Sequence, residues 1–174
     1  MESSKNAIAK NKLAILYILN KMDIRLSDTR LIEAADTLGL MDYFDLNSAL
    51  HDLTENQLAD MSTSINGTFY QITEMGKNTL EFFEKELLMS VRQKISAYCE
   101  ENREQFRLES QLFSEYIRLG EHQYRVNLKV LENDIAVFEL SFFASTKAEA
   151  DKYVQGWKKK ALLVYQKTFE NLLS

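Results

Sequence analysis

The stretch Asp60-Met61-Ser62-Thr63-Ser64-Ile65-Asn66-Gly67-Thr68-Phe69-Tyr70-Gln71-Ile72-Thr73-Glu74-Met75-Gly76-Lys77 decides how the amino-terminal half of the chain is read. Two extended runs, 60–64 and 68–72, flank Asn66-Gly67. Asn-Gly is the strongest short-range hairpin signal because both central turn residues need positive φ. Thr73 then stands one residue ahead of a helical pattern, where its hydroxyl can accept from an amide of the first turn. The segment predicts a two-stranded hairpin that runs straight into a helix.

Upstream of the hairpin the periodicity is helical. A first helix over about 5–21 carries Leu13, Ile15, Leu16 and Leu19 on a broad apolar face. Ile24-Arg25-Leu26 is a short extended stretch. Ser27 can cap a second helix in which Leu31, Ala34, Ala35 and Leu38 recur at helical spacing, and Gly39 ends it. After the turn Met41-Asp42-Tyr43-Phe44, Asp45 is placed to cap a third helix reaching about Gln57, with Leu46, Leu50 and Leu53 facing inward.

Downstream, Leu80, Phe83, Leu87, Val91, Ile95 and Tyr98 follow one another at intervals of three and four. No glycine or proline interrupts Lys77–Phe106, so one long helix, or two meeting at a kink, is expected to about residue 105. The period then changes. Tyr124, Val126, Leu128 and Val130 alternate with Arg125, Asn127 and Lys129, the mark of a half-buried strand. Asn133-Asp134 reads as a tight turn into Ile135–Ala144, where Phe138, Leu140 and Phe142 share a face, and a weaker strand precedes them at about 112–119, turning at Gly120-Glu121. Thr146 with Glu149 forms a capping box for a last helix through Leu172, whose stripe is Ala150, Tyr153, Val154, Trp157, Ala161, Tyr165, Phe169 and Leu172. The expectation is an α+β chain in two domains. Residues 1–86 form a winged helix-turn-helix, and 87–174 a long linking helix, a three-stranded antiparallel sheet and a terminal helix.

Helix, short strand, helix, helix, hairpin, helix is the winged-helix order. Tyr43-Phe44-Asp45-Leu46-Asn47-Ser48-Ala49-Leu50, the segment Phe69–Lys77 and Thr79-Leu80-Glu81-Phe82-Phe83 resemble the winged-helix repressors of the PadR and MarR kind. Over nearly the whole chain the sequence resembles a bacterial family of winged-helix-like domains of unknown function that add an α+β tail. The resemblance implies that helix 46–57 is a recognition helix, with Asn47, Ser48, His51, Asp52 and Glu55 outward, and that Ser64, Asn66 and Thr68 lie at the wing tip. It also implies a transcriptional regulator acting as a homodimer, with the 80–98 stripe as the dimer seam. Asn can pair with adenine, and Ser tolerates either base type.

Charge pulls the other way. From Leu31 to Gly76 there is no lysine or arginine, while Glu33, Asp36, Asp42, Asp45, Asp52, Glu55, Asp60 and Glu74 supply a net charge of −8 with histidine neutral. Duplex DNA is held largely through cations on phosphates, so an acidic reading face opposes the fold's usual use. The alternative expectation is a winged helix that docks a basic protein partner without touching DNA. The cations nearest in sequence are Lys5, Lys10, Lys12, Lys21, Arg25, Arg30 and Lys77, any of which the fold could carry to the rim. Residues 1–75 carry six cations and eleven acids, whereas 76–174 carry fifteen of each, so the acidity belongs to the amino-terminal half.

Catalytic chemistry finds no foothold: His51 and His122 lie in unrelated segments, and there is no phosphate-binding glycine loop, HExxH or cysteine pair for zinc. The expectation is a non-enzymatic protein with no cofactor and no metal. Cys99, the only cysteine, reads as a structural thiol or a redox sensor, and it permits no intramolecular disulfide. Lys158-Lys159-Lys160 reads as a solvated face or a phosphate patch. The aromatics of the last helix read as core, dimer seam or pocket lining. The longest apolar run, Leu13–Leu19, is far below the roughly 20 residues that span a bilayer, and no signal peptide is legible, so a cytoplasmic protein without membrane association is expected.

Overall fold

A computed structural model describes residues 2–64, 67–132 and 135–173. Among these the chain is mixed α+β, with six α-helices and two three-stranded antiparallel sheets. It divides into two compact units, 1–107 and 108–174. The division falls inside the helix that follows Leu88.

The first unit contains α1 (Glu2–Met22), β1 (Leu26–Ser27), α2 (Asp28–Leu38), α3 (Tyr43–Glu55), β2 (Ala59–Ser64), β3 (Gly67–Ile72), α4 (Glu74–Phe83) and most of α5 (Met89–Ser110). Every residue from Leu13 to Leu19 is buried, so α1 is enclosed on all sides instead of presenting one stripe. Around it pack Leu31 and Ala34 of α2, Leu46 and Leu53 of α3, Leu80 of α4 and Ile95 of α5. Strands β1, β3 and β2 lie in that order, with Leu26 opposite Tyr70 and Met61 opposite Tyr70 from the other side.

Most boundaries follow the side chains that mark them. Ser27 Oγ accepts from the Arg30 amide, and Gly39 closes α2 at φ +61°. Thr73 Oγ1 accepts from the Gly76 amide while donating to the Gln57 carbonyl. The third helix differs from expectation. Its cap is Asp42, whose carboxylate accepts from the Asp45 amide at 2.9 Å, so Tyr43 and Phe44 belong to the first turn and Asp45 sits at its third position. Both aspartates suit a helix start; the earlier one wins, and Asp45 still gains from the positive helix end.

The region 77–106 is two helices. Glu84–Glu86 tightens to a 3₁₀ turn, and Leu87 is extended at φ −76°, ψ 131° before α5 begins. No glycine or proline causes this break. Leu87 is itself buried, and the turn lets Leu80 on one side and Ile95, Tyr98 and Cys99 on the other join the core. The 80–98 stripe, expected as a dimer seam, is therefore spent largely on the unit's own interior; Phe83 alone of its residues is exposed. The Asn133-Asp134 turn, like Ile65 and Asn66, lies outside the described residues.

The second unit is β4 (Leu112–Gly120), β5 (Gln123–Glu132), β6 (Ile135–Ala144) and α6 (Lys147–Leu173), with sheet order β4-β5-β6. Val126, Leu128 and Val130 pack against Ala150, Trp157 and Ala161 of α6, and the Trp157 indole donates to the Lys129 carbonyl at 3.2 Å. Thr146 Oγ1 accepts from the Glu149 amide, and the Glu149 carboxylate accepts from the Ser145 amide.

Two helical glycines should respond oppositely to alanine. A Cβ on Gly76 would lie 2.0 Å from the Leu58 carbonyl oxygen and 2.8 Å from Ile72 Cγ1, whereas one on Gly156 would meet nothing within 4 Å. Gly76→Ala should lower stability by roughly 3 kcal/mol, because backbone must move. Gly156→Ala should raise it by about 0.5–1 kcal/mol through helix propensity. Urea midpoints of the two variants against the parent decide both.

Candidate functional site

Leu46, Ala49, Leu50 and Leu53 seat α3 against the core, which leaves Asn47, Ser48, His51 and Glu55 exposed on its outer side. Four of the five residues expected on the outward face are therefore brought together there. Part of Asn47 is already committed, since Nδ2 donates to the Tyr43 carbonyl at 2.8 Å within the helix. Asp52 turns away from this face. It is half-buried and accepts from Lys12 Nζ at 3.3 Å, an ion pair that ties α3 to α1 across forty residues of sequence.

Of the expected wing-tip residues, Asn66 is outside the described region and only the backbone of Ser64 is described, paired with Gly67. Thr68 is half-buried, its hydroxyl 3.4 Å from that of Thr63. Gly67 has φ +123°, a conformation side chains rarely adopt, which accounts for glycine after Asn66. The motif running from Tyr70 to Gly76 is a clasp, not a ligand site. Thr73 joins the α3–β2 connection to α4 through both its hydroxyl and its amide, which donates to the Leu58 carbonyl at 3.2 Å, and Gly76 lets the backbones approach.

Three of the nearby cations are committed to carboxylates of the same unit. Lys12 is paired with Asp52, Arg30 with Glu33, and Lys77 with Glu74 at 2.8 Å. Arg30 also stacks its guanidinium 4.7 Å from the Phe106 ring, and Lys21 lies over Tyr17. The bond to Glu74 raises the Lys77 pKa and keeps the ammonium charged. Meanwhile Asp36, Asp45, Glu55 and Asp60 stay exposed. Of the carboxylates on α3 itself, Asp45 and Glu55 are exposed and Asp52 is half-buried.

Two features of this unit escaped the sequence reading. Tyr43 and Phe44 form an edge-to-face pair at the start of α3, with Phe44 80% exposed, and Met61 and Met75 are also exposed. The signal was present in the dipeptide Tyr43-Phe44, but reading it as a turn hid its place on the helix. A groove of about 670 Å³ opens between α1, α3 and α4, floored by Leu13, Leu16, Leu53 and Phe83 and rimmed by Lys12, Asp52 and Glu86.

The remaining candidates resolve simply. His122 lies in the β4–β5 turn, and Lys158, Lys159 and Lys160 are exposed on α6. Tyr165 and Phe169 pack on Phe138, which stacks on Trp157; Trp157 is buried and Tyr165 half-buried, whereas Tyr153 and Phe169 remain exposed. Among the described residues no three His, Cys, Asp or Glu side chains gather as a metal site would require, and no helix is long and apolar enough to cross a membrane.

Cys99 is buried, and loss of hydration pushes its thiol pKa up to about 11, against the lowering effect of Arg103 and Lys21. Disulfide reagents at pH 8 should leave it unmodified in the folded chain and label it fully on denaturation. Because the folded thiol keeps its proton where the unfolded one, with a pKa of about 8.5, loses it, this residue makes stability decline as pH rises from there towards 11. Rapid native labelling would show an open α1–α5 contact instead.

No curated protein and no solved structure matches the chain. One family model does, over residues 11–172, and it takes in both units; the chain belongs to the family described as a domain of unknown function, DUF4364.

Proposed function

We propose that the first unit is a winged helix used as an acidic docking module for a basic protein surface, without catalysis. The fold reading is supported by the element order, by β1 pairing with β3 as the third strand beside the hairpin, and by α3 directly preceding that hairpin in the chain. The observation that carries the function is the pairing of Lys12 with Asp52: the cation closest to α3 is neutralised by α3 itself. A duplex meeting this helix would face Asp45 and Glu55 with no compensating charge from Lys12, Arg30 or Lys77. A cationic partner would find carboxylates around an exposed aromatic pair, the mixture of charge and ring surface that protein interfaces use.

A second reading is a DNA-binding transcriptional regulator of the PadR and MarR kind. It is favoured by the same element order and by the exposure of Asn47 and Ser48 on α3.

Fluorescence anisotropy separates the two. At about 50 mM salt, where phosphate contacts are strongest, labelled random duplex DNA should show no change up to roughly 10 µM protein. A labelled peptide rich in lysine, arginine and aromatic residues should bind, lose affinity as salt rises, and bind more weakly to the Asp45→Lys, Glu55→Lys variant. Micromolar duplex binding with a steep salt dependence would replace the docking reading with the regulator.

A further inference from the structure

We propose that the second unit pairs with a second copy of itself along the free edge of β6, in an antiparallel register centred on Leu140. This does not depend on what the first unit binds.

Strand β6 is outermost in the order β4-β5-β6, so along one side its backbone N–H and C=O groups point away from β5. Proteins normally protect such an edge with lysine, proline, a short strand or a bulge. The opposite edge follows that rule: β4 carries Arg118 and a register break between Arg118 and Gly120. The β6 edge does not. It is ten residues long, has no proline or lysine, and holds Glu139 as its one charge. Its single irregularity lies near its start, where Val130 faces Phe138 but Leu131 faces Ala136, leaving Val137 as the extra residue. From Phe138 to Ala144 the ladder is regular.

The covering layer also stops short at β6. Helix α6 lies nearer β4 and β5 than β6. Over β6 it is continued by aromatic rings: Tyr153 sits 4.8 Å from Phe142, and Phe169 6.2 Å from Phe138. Tyr153 and Phe169 are themselves exposed, and on the other face of the strand so are Val137 and Phe143, the latter 57% exposed. A large apolar surface therefore ends at a strand whose backbone is ready to pair.

Symmetry then selects the partner and the register. A two-fold axis perpendicular to the sheet keeps every side chain on its own face, which suits two copies of one strand. Centred on Glu139, it would set two carboxylates opposite each other, a destabilising pair. Centred on Leu140, it sets Glu139 opposite the partner's Ser141, Phe138 opposite the partner's Phe142 and Val137 opposite the partner's Phe143. Glu139 already holds Lys129 Nζ at 3.3 Å, so covering the edge strands no lone charge. The product is a continuous six-stranded antiparallel sheet with both α6 helices on one face.

The register makes the test sign-specific. In sedimentation velocity the full chain should be dimeric at about 100 µM. Ser141→Glu places carboxylates opposite the partner's Glu139 twice and should raise the dimer Kd about tenfold or more. Ser141→Lys places ammonium groups there and should leave the Kd unchanged or lower it. Both variants lose the same Ser141 hydroxyl bond to Asn127, so matched circular dichroism spectra and urea midpoints isolate pairing from folding. A monomeric parent, equal responses of the two variants, or a dimer indifferent to both would overturn the proposal.

Discussion

The enclosure of α1 is the constraint on which the first unit depends. Seven consecutive residues, Leu13 to Leu19, are all buried, and a helix apolar around its whole circumference can be satisfied only if other elements surround it. α2, α3, α4 and α5 each contribute a buried stripe to that wrapping. Several local features follow from this demand. The chain must turn sharply after Phe83 so that Leu87 and Ile95 can reach the same core as Leu80. Gly76 must lack a side chain so that α4 can close against Leu58. Lys12, on the half-buried flank of α1, comes within reach of Asp52 because α3 packs directly on that helix.

That last contact links packing to function. A partly exposed ion pair adds little to stability, on the order of 1 kcal/mol or less. Its larger effect is on the surface potential, since it removes the cation best placed to offset the carboxylates of α3. The pairings of Arg30 with Glu33 and Lys77 with Glu74 act the same way on α2 and α4. In each case the positive charge meets a carboxylate of the same surface, so the exposed excess stays acidic.

What could be read from the chain alone divides along a physical line. Helix ends marked by Ser27, Gly39, Thr73 and Thr146 were legible because a cap is decided within four residues. The strands of the second unit were legible because alternation at period two survives over a run as long as Tyr124–Val130. The position of the break at Leu87, between the two helices offered as one alternative, was not, since no local residue demands it and the claims of Leu80 and Ile95 on one core produce it. The start of α3 was misplaced by three residues, because Asp45 suits a helix entry as well as Asp42, which in fact caps it. At the candidate site, the resemblance set Asn47, Ser48, His51 and Glu55 outward, and they are exposed because Leu46, Leu50 and Leu53 turn inward. The diversion of Asp52 was not legible, because its partner lies forty residues away.

The second unit obeys a different economy of surface. One helix about 10 Å across cannot cover three strands spaced near 4.8 Å apart along their full length. α6 resolves the shortage by placing Trp157 and two alanines over β5 and extending aromatic rings towards β6. Rings that reach sideways from a helix leave their own outer edges bare, which is why Tyr153 and Phe169 are exposed although they sit on the apolar stripe. The opposite face of the sheet is polar across its middle. There Glu115, Asn127 and Ser141 form a hydrogen-bonded row across all three strands, and Lys129 pairs with Glu139. These side-chain bonds link all three strands on that face, whereas the backbone groups of β6 that point away from β5 have no strand beside them, because β6 is outermost in the sheet.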